Sequence, residues 1–105
     1  MKLTTYSKHI PLTQAMEEYL EKKIAAVEHA VGSELTVRVT LERSMHHRHG
    51  EVFGIHILAT MNTLDATIEE SAGDFYTGVD LALVRLRQQL MKSVEKRRSR
   101  THRLG

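Results

Sequence analysis

The sequence predicts an α+β domain, a four-stranded sheet with two helices packed on one face, in the order β-α-β-β-β-α. Two observations carry this. Two segments repeat apolar residues at helical spacing, and four shorter segments alternate apolar and polar residues with period two. Two amphipathic helices and a sheet with one apolar face bury each other in two layers.

Leu3 to Lys8 reads as the first strand, and Pro11 ends the extended run. Thr13 is placed to cap a helix. In that helix Met16, Leu20, Ile24, Val27 and Val31 form one apolar face, with Glu17, Glu21 and Glu28 turned to water. Lys23 falls beside the stripe, where its stem packs and its ammonium reaches out. Gly32 supplies the C-terminal stop.

Leu35, Val37, Val39 and Leu41 then alternate with Thr36, Arg38, Thr40 and Glu42, a half-buried strand. The polar, His-rich stretch from Ser44 to Gly50 reads as a loop. Phe53, Ile55, Ile57 and Ala59 mark a third strand, with His56 on its outer side. Asn62 and Thr63 make a turn, and Leu64, Ala66 and Ile68 mark a short fourth strand ending in Glu69 and Glu70. A second helix starts near Asp74. Phe75, Val79, Leu83, Leu86 and Leu90 form its buried face, and it dissolves at Ser99, Arg100 and Thr101. The expected division is an α+β domain over 1–98 and a basic C-terminal tail over 99–105.

A chain of 105 residues with 41% hydrophobic and 27% charged residues suits one small globular domain. Aromatics are 5% and Trp is absent, so the core is expected to be aliphatic. With no Cys there is no disulfide scaffold, Cys-based zinc site or thiol nucleophile. No apolar run approaches a membrane span or a signal peptide, so the expectation is a soluble, cytoplasmic protein.

Charge is unevenly spread. From Arg85 to Arg103 there are eight Lys and Arg against Glu95 alone, a local +7 within a chain of net +2. A basic end on a mildly acidic body fits either a surface that meets a polyanion or a solvated tail. At about 100° per residue, Arg85, Gln89, Lys92 and Lys96 fall within roughly 60° of one another, about 110° from the centre of the apolar face. Such a ridge can line up with phosphates, with Gln89 free to bond a phosphate, sugar hydroxyl or base edge. The alternative is a solvated helix side.

His46, His47 and His49 raise the question of a metal, because imidazole binds zinc, copper and nickel. They lie in an expected loop with no Cys or Asp nearby, so no metal and no cofactor is expected. No G-x-S-x-G, H-E-x-x-H or Gly-rich phosphate loop occurs, and nothing in the spacing joins a nucleophile to a base. The chain is therefore not expected to be an enzyme.

The run Asp74-Phe75-Tyr76-Thr77-Gly78-Val79-Asp80, with Leu83, Leu86, Gln89-Leu90 and Lys92, resembles the ribosome hibernation promoting factors and ribosome-associated translation inhibitors. In that family the second helix opens D-M-Y-x-A-I-D and continues L-x-K-L-x-R-Q-L-x-K. Ser7-Lys8-His9-Ile10 with Leu12-Thr13 is similar to the family's first strand and turn, and Lys23 matches a basic position of its first helix. The departures are Gln88, Met91 and Val94 at often basic positions, Ala26 at a common lysine, and Gly78 at the usual alanine.

The resemblance covers nearly the whole chain and implies a short-form member. Its fold would be similar to double-stranded-RNA-binding domains. It would dock on the small subunit at the decoding region and silence idle ribosomes in stationary phase or under stress. Its partners would be the small ribosomal subunit and its ribosomal RNA, with no membrane and no small-molecule substrate. Lys8, Lys23, Arg85, Gln89, Lys92, Lys96 and Arg97 would contact RNA. The rival readings are a structured-RNA-binding module not specific to ribosomes and a His-dependent metal enzyme.

Overall fold

The computed structural model describes the backbone of residues 1–47 and 50–104 and the side chains of residues 1–43 and 52–96. Six elements follow one another: β1 (Lys2–Lys8), α1 (Gln14–Val31), β2 (Thr36–His47), β3 (Gly50–Met61), β4 (Leu64–Ala72) and α2 (Phe75–Leu104). The sheet order is β1-β2-β3-β4. β1 runs parallel to β2, and the other two pairings are antiparallel. The α+β order expected from the sequence is the order found.

Local chemistry accounts for the boundaries. His9 takes a left-handed φ of 64° as the chain leaves β1, and the Ser7 hydroxyl donates to the Ile10 carbonyl across that corner. Thr13 caps α1, its Oγ1 accepting from the Met16 N–H at 3.1 Å. Gly32 closes the helix at φ 71°, a backbone state that glycine adopts without steric cost. Asn62, at φ 57°, turns the hairpin between β3 and β4. Asp74 opens α2: its Oδ1 accepts from the Thr77 N–H at 3.0 Å and its Oδ2 from the Thr77 hydroxyl at 2.7 Å. These bonds hold the Asp74 carboxyl below its ordinary range.

The core lies between the helices and one sheet face. Leu20, Ile24, Val27 and Val31 from α1 join Val79, Leu83, Leu86 and Leu90 from α2. Leu35, Val37, Val39, Leu41, Ile55, Ile57, Ala59, Met61, Ala66 and Ile68 come up from the sheet. Phe75 is the one buried aromatic among the described residues, so the core is aliphatic as the composition predicts. α2 packs over β3 and β4 and against α1. The other sheet face is uncovered, with Tyr6, Arg38, Leu58 and Thr67 exposed on it.

Four boundaries differ from the sequence reading. The expected loop over 44–50 is mostly strand, because β2 runs to His47 and β3 starts at Gly50, with a register shift between Ser44 and His47. Backbone pairing with a partner strand overrides the polar composition that suggested a loop. The metal question at His49 lies outside the described residues, as do the side chains of His46 and His47. β4 continues past Glu70 to Ala72, paired with Phe53 of β3. α2 does not leave helical form at Ser99 but runs to Leu104; Arg and Ser there are compatible with helix and no breaker intervenes. Glu28 does not face water alone: its Oε2 accepts from the Leu35 N–H at 2.8 Å and lies 3.4 Å from the Met1 amine. The backbone bond from Leu35 leads in holding its carboxyl below the ordinary range.

Gly78 sits where α2 crosses β3. A Cβ there would stand 2.6 Å from Ile55 Cδ1. Glycine lets the helix approach Ile55 closely, and an alanine would require the end of the Ile55 side chain to turn aside.

Leu86 is fully buried at the centre of the α2 face, so Leu86→Ala is expected to cost about 2–5 kcal/mol in denaturant unfolding. An unchanged midpoint would contradict its place in the core. Gly78→Ala gains about 1 kcal/mol of helix propensity but must displace Ile55 Cδ1. In an Ile55→Val background, which removes that methyl, the same change is expected to be more favourable by about 0.5–3 kcal/mol. Equal effects in the two backgrounds would show that the close approach carries no strain.

Candidate nucleic-acid interface

The exposed side of α2 is built by the helical period that buries its opposite side. With Leu86 and Leu90 held in the core, Arg85, Gln89, Lys92 and Lys96 are left exposed. The stripe expected from the sequence is therefore present as a geometric feature, and its members differ in what they touch.

Arg85 is turned onto the sheet. Its Nη1 donates to the Glu69 carbonyl at 2.7 Å and to Glu70 Oε2 at 3.0 Å. Glu69 belongs to β4, an edge strand, so the guanidinium satisfies a main-chain acceptor on the free side of the sheet. Lys92 and Lys96 have no ion-pair partner among the described residues. Below them a groove between α2 and β4 is lined by Thr67 and Ile68 on the strand and by Arg85, Gln89, Lys92 and Glu95 on the helix, so one acid stands beside the lysines without pairing with them. The Arg97 side chain lies outside the described residues.

The two predicted contacts from the front half of the chain are also paired. Lys8 Nζ lies 4.0 Å from Glu42 Oε1, with both side chains largely exposed. Lys23 Nζ lies 3.8 Å from Asp80 Oδ1 and 5.4 Å from the centre of the Tyr19 ring. Lys23 thus reaches out beside the apolar stripe as expected, and what it reaches is Asp80 of α2. Lys8, on β1, is not part of the helix stripe.

Sequence reasoning missed the polar seam between the helices. Tyr19 donates its hydroxyl to Asp80 Oδ1. Its ring meets Tyr76 edge-on at 4.8 Å, and Tyr76 meets Phe75 edge-on at 5.0 Å. The signal was present in part: Tyr19 and Lys23 share one side of α1, as Tyr76 and Asp80 share one side of α2, at the i,i+4 spacing. What the spacing lacks is the docking of one helix on the other. The bond to Asp80 leads in pushing the Tyr19 phenol up to about 12. Its folded value is above the ordinary one, so this contribution to stability is present below pH of about 10 and is lost as pH rises toward about 12.

Among the described residues no group of three or more His, Cys, Asp or Glu side chains converges in a way that could hold a metal ion.

An absorbance titration should show Tyr19 ionising near pH of about 12, a step that Tyr19→Phe removes. Asp80→Asn should bring it back toward the ordinary value of about 10. A Tyr19 transition unchanged by Asp80→Asn would show that the Tyr19–Asp80 bond is not made in solution.

The sequence matches a family model described as Sigma 54 modulation protein / S30EA ribosomal protein over residues 3–98. Among solved structures the chain is similar to the crystal structure of the Thermus thermophilus Protein Y N-terminal domain. That likeness has a TM-score of 0.73 at 24% identity and covers 88% of this chain and 98% of that one. It is also similar to a ribosomal subunit interface protein from Coxiella burnetii. There the TM-score is 0.77 at 16% identity, over 89% of this chain and 97% of the other. At these identities the two structures speak for the fold. No curated protein sequence matches the chain. The family model spans both helices up to residue 98 and all four strands, and the chain belongs to the Sigma 54 modulation protein / S30EA ribosomal protein family.

Proposed function

We propose that this chain is a hibernation-type factor that docks on the small ribosomal subunit across the decoding region and silences idle ribosomes. Its family makes it a ribosome-associated, non-enzymatic protein of the cytoplasm. The decoding-region site, the contact with ribosomal RNA and the setting of stationary phase or stress are the proposed part.

The observation that carries this reading is the pair Lys92 and Lys96, exposed on one side of α2 next to Gln89 and, despite Glu95 nearby, without an ion-pair partner among the described residues. Unpartnered ammonium groups meet phosphates without first giving up a protein partner, and each phosphate neutralised releases counterions. Gln89 beside them supplies a neutral donor and acceptor.

Lys8, Lys23 and Arg85 belong to a second tier. Each must exchange an acid of this chain for a phosphate, and exposed pairs of this kind are worth only about 0–1 kcal/mol. The exchange is therefore cheap but not free. Arg97, Arg98, Arg100 and Arg103 continue the basic run of the sequence beyond Lys96.

The test is sedimentation with purified ribosomes at several salt concentrations. Lys92→Gln with Lys96→Gln should weaken binding and flatten the slope of log affinity against log salt by up to roughly two units. The melting temperature should hold, because exposed substitutions away from the core change stability by less than about 0.5 kcal/mol. Binding as tight as wild type with the same slope would reduce the stripe to a solvated face. Excess free duplex RNA that removes the protein from ribosomes would favour a general RNA-binding module instead.

A further inference from the structure

The uncovered sheet face is not uniform. Pairing registers arrange its side chains in cross-strand rows. One row is Thr4, Arg38, Leu58, Thr67, and the next is Tyr6, Thr40, His56, Glu69. Lys2 and Lys8 stand at the two ends of β1. Among the described residues the β1–β2 half therefore carries Lys2, Lys8 and Arg38, with Glu42 as its one acid. The β4 margin carries Asp65 and Glu69 and no cation.

Two side chains on the basic half are set out for contact. Tyr6 is 52% exposed on the edge strand β1. The Arg38 guanidinium lies 5.5 Å from the centre of that ring, and its N–H donors have no hydrogen-bond partner among the described residues. Leu58, 38% exposed, lies beside Arg38 in the same row and adds an apolar floor. Thr4 pairs with Arg38 and Thr40 with Tyr6 on this face, and Thr36 pairs with Lys2.

An aromatic face, a guanidinium with unused donors and flanking ammonium groups are the elements that bind unpaired nucleotides. The base stacks on the ring, and the cations hold the backbone. A duplex offers no free base face for such stacking. A peptide partner would have to be acidic as well as aromatic-binding, and the threonine hydroxyls add nothing specific to that.

We infer that the β1–β2 half of the open sheet face, centred on Tyr6 and Arg38, is a binding surface for a single-stranded RNA segment. It lies on the opposite layer from the α2 stripe, so the two surfaces can be occupied together by different parts of one RNA. The inference deepens the ribosome-binding reading, and it also stands on free RNA.

The experiment is fluorescence anisotropy of a labelled short oligoadenylate with the full chain, run beside ribosome sedimentation. Wild type should bind the oligonucleotide in a salt-sensitive way, and an unlabelled fully paired duplex should compete poorly. Tyr6→Ala should weaken oligonucleotide binding about tenfold, whereas Tyr6→Phe, which keeps the ring, should bind like wild type. Arg38→Gln should weaken binding and flatten its salt dependence. Melting curves of the three variants check that the domain remains folded, and Tyr6→Phe against Arg38→Gln decides the matter if Tyr6→Ala unfolds. Oligonucleotide affinities unchanged by Tyr6→Ala and Arg38→Gln would overturn the inference. So would ribosome binding weakened by Tyr6→Ala while the oligonucleotide is still bound normally, since that outcome gives the face to a ribosomal protein. If oligonucleotide binding depends on Tyr6 but wild type does not sediment with ribosomes, the surface stands and the ribosomal reading falls. If wild type sediments with ribosomes but Tyr6 and Arg38 are dispensable for both ligands, the reverse holds.

Discussion

The structure depends on one constraint: its sheet has a single apolar face. In β2, Val37, Val39 and Leu41 point one way while Thr36, Arg38, Thr40 and Glu42 point the other. In β3, Ile55, Ile57 and Ala59 alternate in the same way with His56 and Leu58. A one-residue slip in any pairing would bring polar residues into the core, so the registers are tightly held. Both helices must then lie on the same side, because only that side lets them remove their own apolar faces from water. The uncovered face and the exposed sides of the helices follow as the surfaces left for partners.

Packing both helices on one face also sets the electrostatics. α1 and α2 lie side by side, so Lys23 of one meets Asp80 of the other. α2 lies over β4, so Arg85 reaches Glu70 and the Glu69 carbonyl. The cations nearest the centre of the fold therefore find acids on neighbouring elements. Lys92 and Lys96, further along α2, do not. The result is a gradient in how readily each cation can be given to an outside anion. Exposed pairs are weak and screened by salt, so even the paired cations are held only loosely.

Much of this was legible in the chain. The helical spacing of Leu20, Ile24, Val27 and Val31, and of Val79, Leu83, Leu86 and Leu90, predicted their burial because a helix repeats its direction regularly whatever surrounds it. Thr13 and Gly32 marked the ends of α1 because their roles are local: one side-chain acceptor, one backbone state. The direction of the α2 stripe was legible for the same reason. The ends of the hairpin between β2 and β3 were not, because a strand near a turn is decided by a partner strand and not by its own composition.

What the sequence alone determined, then, was the order of elements, the face each one buries and the positions of the exposed cations along α2. Each of these is a property of one segment and its period. The tertiary structure alone decided that Arg85, Lys23 and Lys8 are paired while Lys92 and Lys96 are not. It also decided that Gly78 admits Ile55, that Tyr19 finds Asp80, and that Tyr6 and Arg38 come together on an open face. Each of these joins residues from different elements. Contacts of that kind depend on distances of a few ångströms between segments far apart in the chain, and no local period encodes them.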